Sequence, residues 1–291
     1  MSGAERLLLK TTIGPVEDDW HVGRFSRLAE HLASLRGQDG APLYTVTARD
    51  RAEDAAGDDV DLAAFAAGDF DQLWLFAVDV TGALTETDAA NIEAAQKAGR
   101  GVLLTRDHQD LGACLTKLGD IGQAEHFQTE NPDPDPSRRC RDDPDNLTID
   151  WPNYHSGANG DVQAVDATAP LHPIMRRASG GAIAYLPSHP HEGAVGVPAS
   201  LKDHSAVIVT GTSKASGVRF NIAVAMDGPG RGRAVADSSF HHLSDFNWDP
   251  RLGAPSFVTE TPADTVIREP GVLADTHRYV ENIAAWLARR I

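Results

Sequence analysis

Contiguous apolar runs alternate with stretches of helical spacing through the first 120 positions of the chain. Arg6 to Ile13 is an apolar run closed by Gly14-Pro15 and reads as a buried strand followed by a loop. From Val22 to Leu35, apolar residues fall at Val22, Phe25, Leu28, Ala29, Leu32 and Leu35, the spacing of one helical face. Pro42 to Thr47 reads as a second strand, and a short helix is expected over Leu62 to Ala67. Gln72 to Val78 is almost uninterrupted apolar sequence, as in a parallel strand covered on both faces. Thr85 stands as an N-cap with Asp88 three residues on, which predicts a helix through Lys97 that stops at Gly99. Gly101 to Thr105 is the next strand, and a helix is predicted over Gln109 to Leu118.

This rhythm predicts an α/β fold with a doubly wound, mostly parallel sheet. Residues 127–162 break it with five prolines, many Asp and Asn residues and few apolar positions. They read as an irregular insertion, either a lid or oligomer contact or a merely tolerated excursion. Beyond it, Ala182–Leu186, Ala206–Thr210, Phe220–Met226 and Arg233–Asp237 are strand-like, with fewer helices between them, so antiparallel strands are expected there. A last amphipathic helix is predicted over Leu273–Arg290, with Val280, Ile283, Ala284 and Leu287 facing the body. No repeats or linkers appear, so residues 1–291 are read as one elaborated domain.

Composition narrows the function. The net charge of −16 repels phosphate backbones and argues against nucleic-acid binding. No stretch of about 18 apolar residues suggests a membrane span, and the N-terminus lacks a signal-peptide pattern, so a cytoplasmic location is expected. With two cysteines a disulfide framework is not expected. Cys114, in an apolar stretch, reads as a core thiol, whereas Cys140 lies in the irregular loop among arginines.

Candidate chemistry comes from four histidine-bearing clusters at predicted strand ends, where open α/β sheets bind ligands. They are Asp18-Asp19-Trp20-His21, Asp107-His108-Gln109-Asp110, His189-Pro190-His191-Glu192 and His241-His242. Asp18 and Asp19 read equally as helix caps. Pro190 favours extended backbone at His189, and in extended chain His189 and His191 share a side and could grip one ion. Only one of His241 and His242 should then face inward, with Asp237 as its orienting carboxylate. A divalent metal (zinc, iron or nickel) suits imidazole ligands; a metal-free polar cleft and a purely structural loop are the alternatives. Metal ligands are expected among His21, His189, His191 and His241. Catalytic acid–base groups are expected among Asp107, His108 and Glu192, and substrate contacts among Asp18, Trp20, Arg106 and His242. The remaining histidines and the Gly228–Gly232 turn read as structural.

Asp18 to His21, Leu104-Thr105-Arg106-Asp107-His108, Leu186 to Glu192, and Gly232 to Asp237 running into His241-His242 carry a resemblance. The chain resembles the class I glutamine amidotransferase-like superfamily, with its flavodoxin-like core, and within it the trehalose-utilisation-type (ThuA-like) branch. The resemblance covers about residues 6–120 and 180–290 through short motifs. It departs where it matters: amidotransferases place a nucleophilic cysteine at the elbow after the strand, and here Thr105, Arg106 or Asp107 stands there. His191 also displaces the glutamate of their His-Pro-Glu. Glutamine hydrolysis by a thiolate is therefore not expected. The resemblance implies an association with sugar metabolism.

The expectation is a metal-assisted hydrolase or lyase acting on a small polar, possibly carbohydrate-derived molecule. A non-catalytic ligand-binding or scaffold domain and metal-free acid–base catalysis are the competing readings. The expected partners are a small-molecule substrate and, at most, a second copy of the chain.

Overall fold

The computed structural model describes residues 3–80, 82–138, 142–143, 147–149 and 155–291. Its sheet strands are β1 (Glu5–Thr11), β2 (Tyr44–Arg49), β3 (Gln72–Phe76), β4 (Gly101–Thr105), β5 (Val162–Ala167), β6 (Tyr185–Pro187), β7 (Ser205–Thr212), β8 (Arg219–Met226) and β9 (Ala234–Asp237). They form a nine-stranded sheet in the order β2-β1-β3-β4-β9-β8-β7-β5-β6. β2, β1, β3, β4 and β9 run parallel. From β9 onward every pairing, through β8, β7, β5 and β6, is antiparallel. The main helices are α1 (Ser26–Ser34), α2 (Val60–Ala67), α3 (Glu86–Lys97) and α4 (Pro270–Leu287).

The unbroken apolar runs reflect a sheet buried on both sides. Alternate side chains divide between two cores. Leu7, Leu9, Trp74, Phe76, Leu103 and Val235 pack with Phe25, Leu28, Leu32, Val280 and Ile283, on the α1 and α4 side. Leu8, Leu73, Leu75, Val102 and Leu104 pack with Leu62, Phe65, Ala89 and Ile92 of α2 and α3. α3 opens on the predicted Thr85–Asp88 capping box. Asp88 is fully buried because it also takes the Arg51 guanidinium and the Asp59 N–H.

Two expectations are corrected. Neither Asp18 nor Asp19 caps α1. The Asp245 carboxylate does, accepting from Ser26 N–H (3.1 Å), Ser26 Oγ (2.6 Å) and Arg27 N–H (2.7 Å). Asp245→Ala should therefore cost about 1–2 kcal/mol, read as a lowered urea midpoint with unchanged slope. The second correction concerns Gln109–Leu118, which is a turn and a short 3-10 segment (Ala113–Lys117) instead of a helix. Gly112 explains it: its φ is +81°, and a Cβ there would lie 2.7 Å from the Ala77 Cβ. The backbone crosses the end of β3 too closely for a helix to run through. Cys140 lies outside the described residues, and no helix among the described residues is long and apolar enough to cross a membrane.

The sheet aligns the site. Thr11 pairs with Phe76, Phe76 with Thr105 and Thr105 with Asp237, so the carboxyl ends of β1, β3, β4 and β9 form one row. Everything that follows Thr105 and Asp237 emerges at the same rim.

Candidate functional site

Three cluster-bearing segments are laced together above that row. Phe240 N–H donates to the Arg106 carbonyl (2.9 Å), joining the chain after β9 to the chain after β4. Gly193 N–H donates to the Ser238 carbonyl (2.9 Å), and Ser239 Oγ to the His191 carbonyl (2.6 Å). The Asn247 amide donates to the carbonyls of both His189 and His241. Gly193 must be glycine, since a Cβ would strike the Arg106 guanidinium and the Asp107 carbonyl. These ties bring His108, His189, His191, His241 and His242 into one region.

One group is sealed. His242 is fully buried between Asp237, 2.7 Å from its Nδ1, and Glu192, 3.4 Å from its Nε2. Burial opposes its charge, but the two carboxylates outweigh burial and raise its pKa to about 10. Tyr279 donates to the other Asp237 oxygen (2.7 Å). Burial pushes the Glu192 carboxyl up, and His242 opposes that. Glu192 and His242, expected as a base and as a substrate contact, have no exposed surface. Arg106, expected as a substrate contact, is enclosed too. It is fully buried over the Phe127 ring (4.2 Å), and its guanidinium donates to the Gln109 carbonyl. It also supplies countercharge to the buried Glu125, whose carboxyl burial raises well above the usual range.

The other group centres on Asp107. One Asp107 oxygen lies 3.2 Å from His108 Nδ1 and 3.3 Å from His241 Nε2. Burial would raise the Asp107 carboxyl, but the two imidazoles hold it well below the usual carboxylate range. It lies between the two imidazoles as their shared carboxylate partner. Burial lowers His241 to about 4, so it is neutral, with Trp20 edge-on at 4.9 Å. The His108 ring meets the His191 ring at 4.9 Å, and the His108 side chain keeps 14% of its exposure.

His191 belongs to the convergence that could hold a metal. Its Nε2 is 3.4 Å from Glu260 Oε1, and donor atoms of Asp143, His191 and Glu260 all lie within 4.8 Å of one another. Bonds of about 2.0–2.1 Å to a tetrahedral ion place neighbouring donors roughly 3.4 Å apart. The His191–Glu260 edge already has that length. His191 Nδ1 is buried without a hydrogen-bond partner among the described residues. The hydrogen bond from His191 pulls Glu260 down to about 2, so it is ionised. The set thus has one imidazole and two carboxylates.

Several residues stand elsewhere than expected. His189 does not join this group: its Nε2 meets the Glu260 backbone carbonyl (3.3 Å) while His191 meets that residue's carboxylate. His21 Nδ1 accepts from Gly23 N–H (3.2 Å) and caps a local turn. His241 is committed to Asp107. Asp18 is exposed and accepts from Ser256 N–H (2.7 Å) and Oγ (2.5 Å), bracing the loop that leads to Glu260. Trp20 is a buried wall against Phe240 and His241, with 5% exposure, and not an open contact surface. Asp143 and Glu260 were not singled out from sequence; one lies in the irregular insertion and the other in a loop without periodicity. The elbow holds no cysteine. Cys114 is buried, donates to Asp79 Oδ1 (3.1 Å), and has its thiol pushed well up by burial and by that carboxylate.

No family model and no curated protein sequence matches the chain. Solved structures do. The N-terminal domain of mmIFT52 superposes with a TM-score of 0.56 at 10% identity, over 97% of this chain and 96% of that one. A protein described as ThuA-like from Parabacteroides merdae gives 0.50 at 12% identity, over 97% and 91%. The glutaminase domain of Trypanosoma brucei CTPS gives 0.46 at 14% identity, over 97% and 94%. At these identities the likeness concerns the fold alone: an α/β fold with a mixed sheet and parallel core strands.

Proposed function

We propose that the protein is a metal-assisted hydrolase or lyase of a small polar molecule, with Asp143, His191 and Glu260 as the ion's ligands. The observation that carries this reading is the convergence of those three donors, with the His108 ring 4.9 Å from the His191 ring. Two carboxylates favour zinc, iron(II) or manganese over the softer ions that an all-imidazole set would suit. A divalent ion there would supply Lewis acidity to a substrate oxygen. His108 would exchange the proton, because Asp107 faces its Nδ1 and leaves Nε2 as the working nitrogen. Asp107 would act as the orienting anion for both His108 and His241. The carboxylates and imidazoles gathered here suit a hydroxyl-rich substrate, such as a carbohydrate derivative.

Elemental analysis of protein purified without a histidine tag should find about one zinc, iron or manganese per chain. His191→Ala and Glu260→Gln should each empty the site while circular dichroism stays native. Native protein that carries no metal and takes up none on dialysis against these ions would end this reading.

A second reading has one observation in its favour. The stretch where an amidotransferase presents its nucleophile offers only the buried Thr105, Arg106 and Asp107, as in a fold that has lost its chemistry. A non-catalytic binding domain would be stabilised by a metabolite without turning it over.

A further inference from the structure

A concavity lies away from the metal-ligand group. It is an open groove of about 660 Å³ between α1, α4 and the short helices Asp245–Trp248 and Thr265–Arg268, within the size range of small-molecule sites. Its lining is mostly apolar and aromatic. The His31 and His277 rings stack at 4.0 Å with 18° between their planes, and Trp248 stands against His277 at 5.0 Å. Val266 and Leu273 add aliphatic surface. His31 is anchored through Nε2 to Glu281 (3.1 Å). His277 has no hydrogen-bond partner among the described residues, so its nitrogens are free to meet a ligand. Burial, with His31 adding to it, lowers His277 to about 4, so near neutral pH the ring carries both a donor and an acceptor. At the rim, Arg27 and Arg251 are balanced by Glu30 and Asp249, which gives the groove no net preference for an ion.

We propose that this groove is a second binding site, for a small, uncharged, planar heteroaromatic ring. The ring's face would lie along the His277–Trp248 wall, where aromatic contacts favour offset or edge-to-face packing. Its polar edge would meet the His277 nitrogens. The site does not depend on the metal reading, since it shares no residue with the Asp143–His191–Glu260 group. It does have a structural route to the strand ends. The Trp248 indole N–H donates to the His242 carbonyl (2.8 Å), and its neighbour Asn247 holds the carbonyls of His189 and His241.

The test is a titration of the full chain, followed by the indole N–H signals of its five tryptophans, with adenine, indole and cyclohexanol as probes. The Trp248 signal is identified by its disappearance in Trp248→Phe. Adenine or indole should shift that signal saturably and leave the other tryptophans nearly still, while cyclohexanol should not. Ala274→Arg places a long side chain in the groove from an exposed position, so folding is spared, and should weaken the response at least about tenfold. Three outcomes each overturn the proposal: no saturation by about 10 mM probe, an equal response to cyclohexanol, or an Ala274→Arg protein that binds as tightly as the parent.

Discussion

His242→Gln should destabilise the protein by about 3–5 kcal/mol, the cost of removing one member of a buried ion group while its partners stay. The argument rests on enclosure. His242, Asp237 and Glu192 have no exposed surface, and the imidazolium sits 2.7 Å from one carboxylate and 3.4 Å from the other. Without it, Asp237 keeps the Tyr279 hydroxyl and the Ser239 N–H, but Glu192 keeps only a long contact from Ser238 Oγ (3.3 Å). The pH dependence has a definite sign. The folded pKa of His242 is raised to about 10, against about 6.5 in an unfolded chain. Its contribution is therefore fully present below about pH 6.5 and is lost as pH climbs through about 10. Urea unfolding at pH 6, 8 and 10 should show the gap between parent and variant narrowing as pH rises. A gap that stays constant across that range would mean His242 is neutral in the folded protein, and the ion group as described would be wrong.

That sealed group also shows where sequence reasoning reached its limit. The parallel half of the sheet was legible because a strand buried on both faces must be apolar throughout, and Leu73 to Phe76 and Val102 to Leu104 are. α3 was legible because its capping box is local. The Gln109–Leu118 stretch was misread because its apolar spacing is compatible with a helix, and only tertiary contact between Gly112 and Ala77 forbids one. The expectation that one of His241 and His242 faces inward assumed extended chain. They lie in a 3-10 turn, both are buried, and they reach different carboxylates, Asp107 and Asp237. Asp237 does orient a histidine as anticipated, but it is the enclosed one. His191 stood out because His-Pro-His-Glu is a rare local pattern. Asp143 and Glu260 lie 117 positions apart, and no spacing rule links them; only the tertiary fold brings their donor atoms together.

Metal addition should raise the melting temperature of metal-free protein by about 5 °C, and His191→Ala or Glu260→Gln should abolish the increase. An ion at one hundred times its dissociation constant stabilises the folded state by about 2.7 kcal/mol, and for a chain of this size each kcal/mol moves the midpoint by about 2 °C. This readout needs no substrate, so it tests the site separately from the reaction assigned to it. The variants distinguish ligation from general charge effects. Glu260→Gln removes one negative charge from a chain with a net charge of −16, so nonspecific screening by a divalent ion should survive it almost unchanged. Ligation should not, because an amide oxygen is a poorer donor than the ionised carboxylate that His191 holds at about 2. Asp18→Ala offers a further control. It frees Ser256 and loosens the loop leading to Glu260 without touching a ligand, so it should weaken metal affinity by about 10–100-fold, as outer supports of metal sites do. If Asp18→Ala and Glu260→Gln both left the metal-induced shift intact, the ion would be binding elsewhere, and the convergence of Asp143, His191 and Glu260 would not be a metal centre.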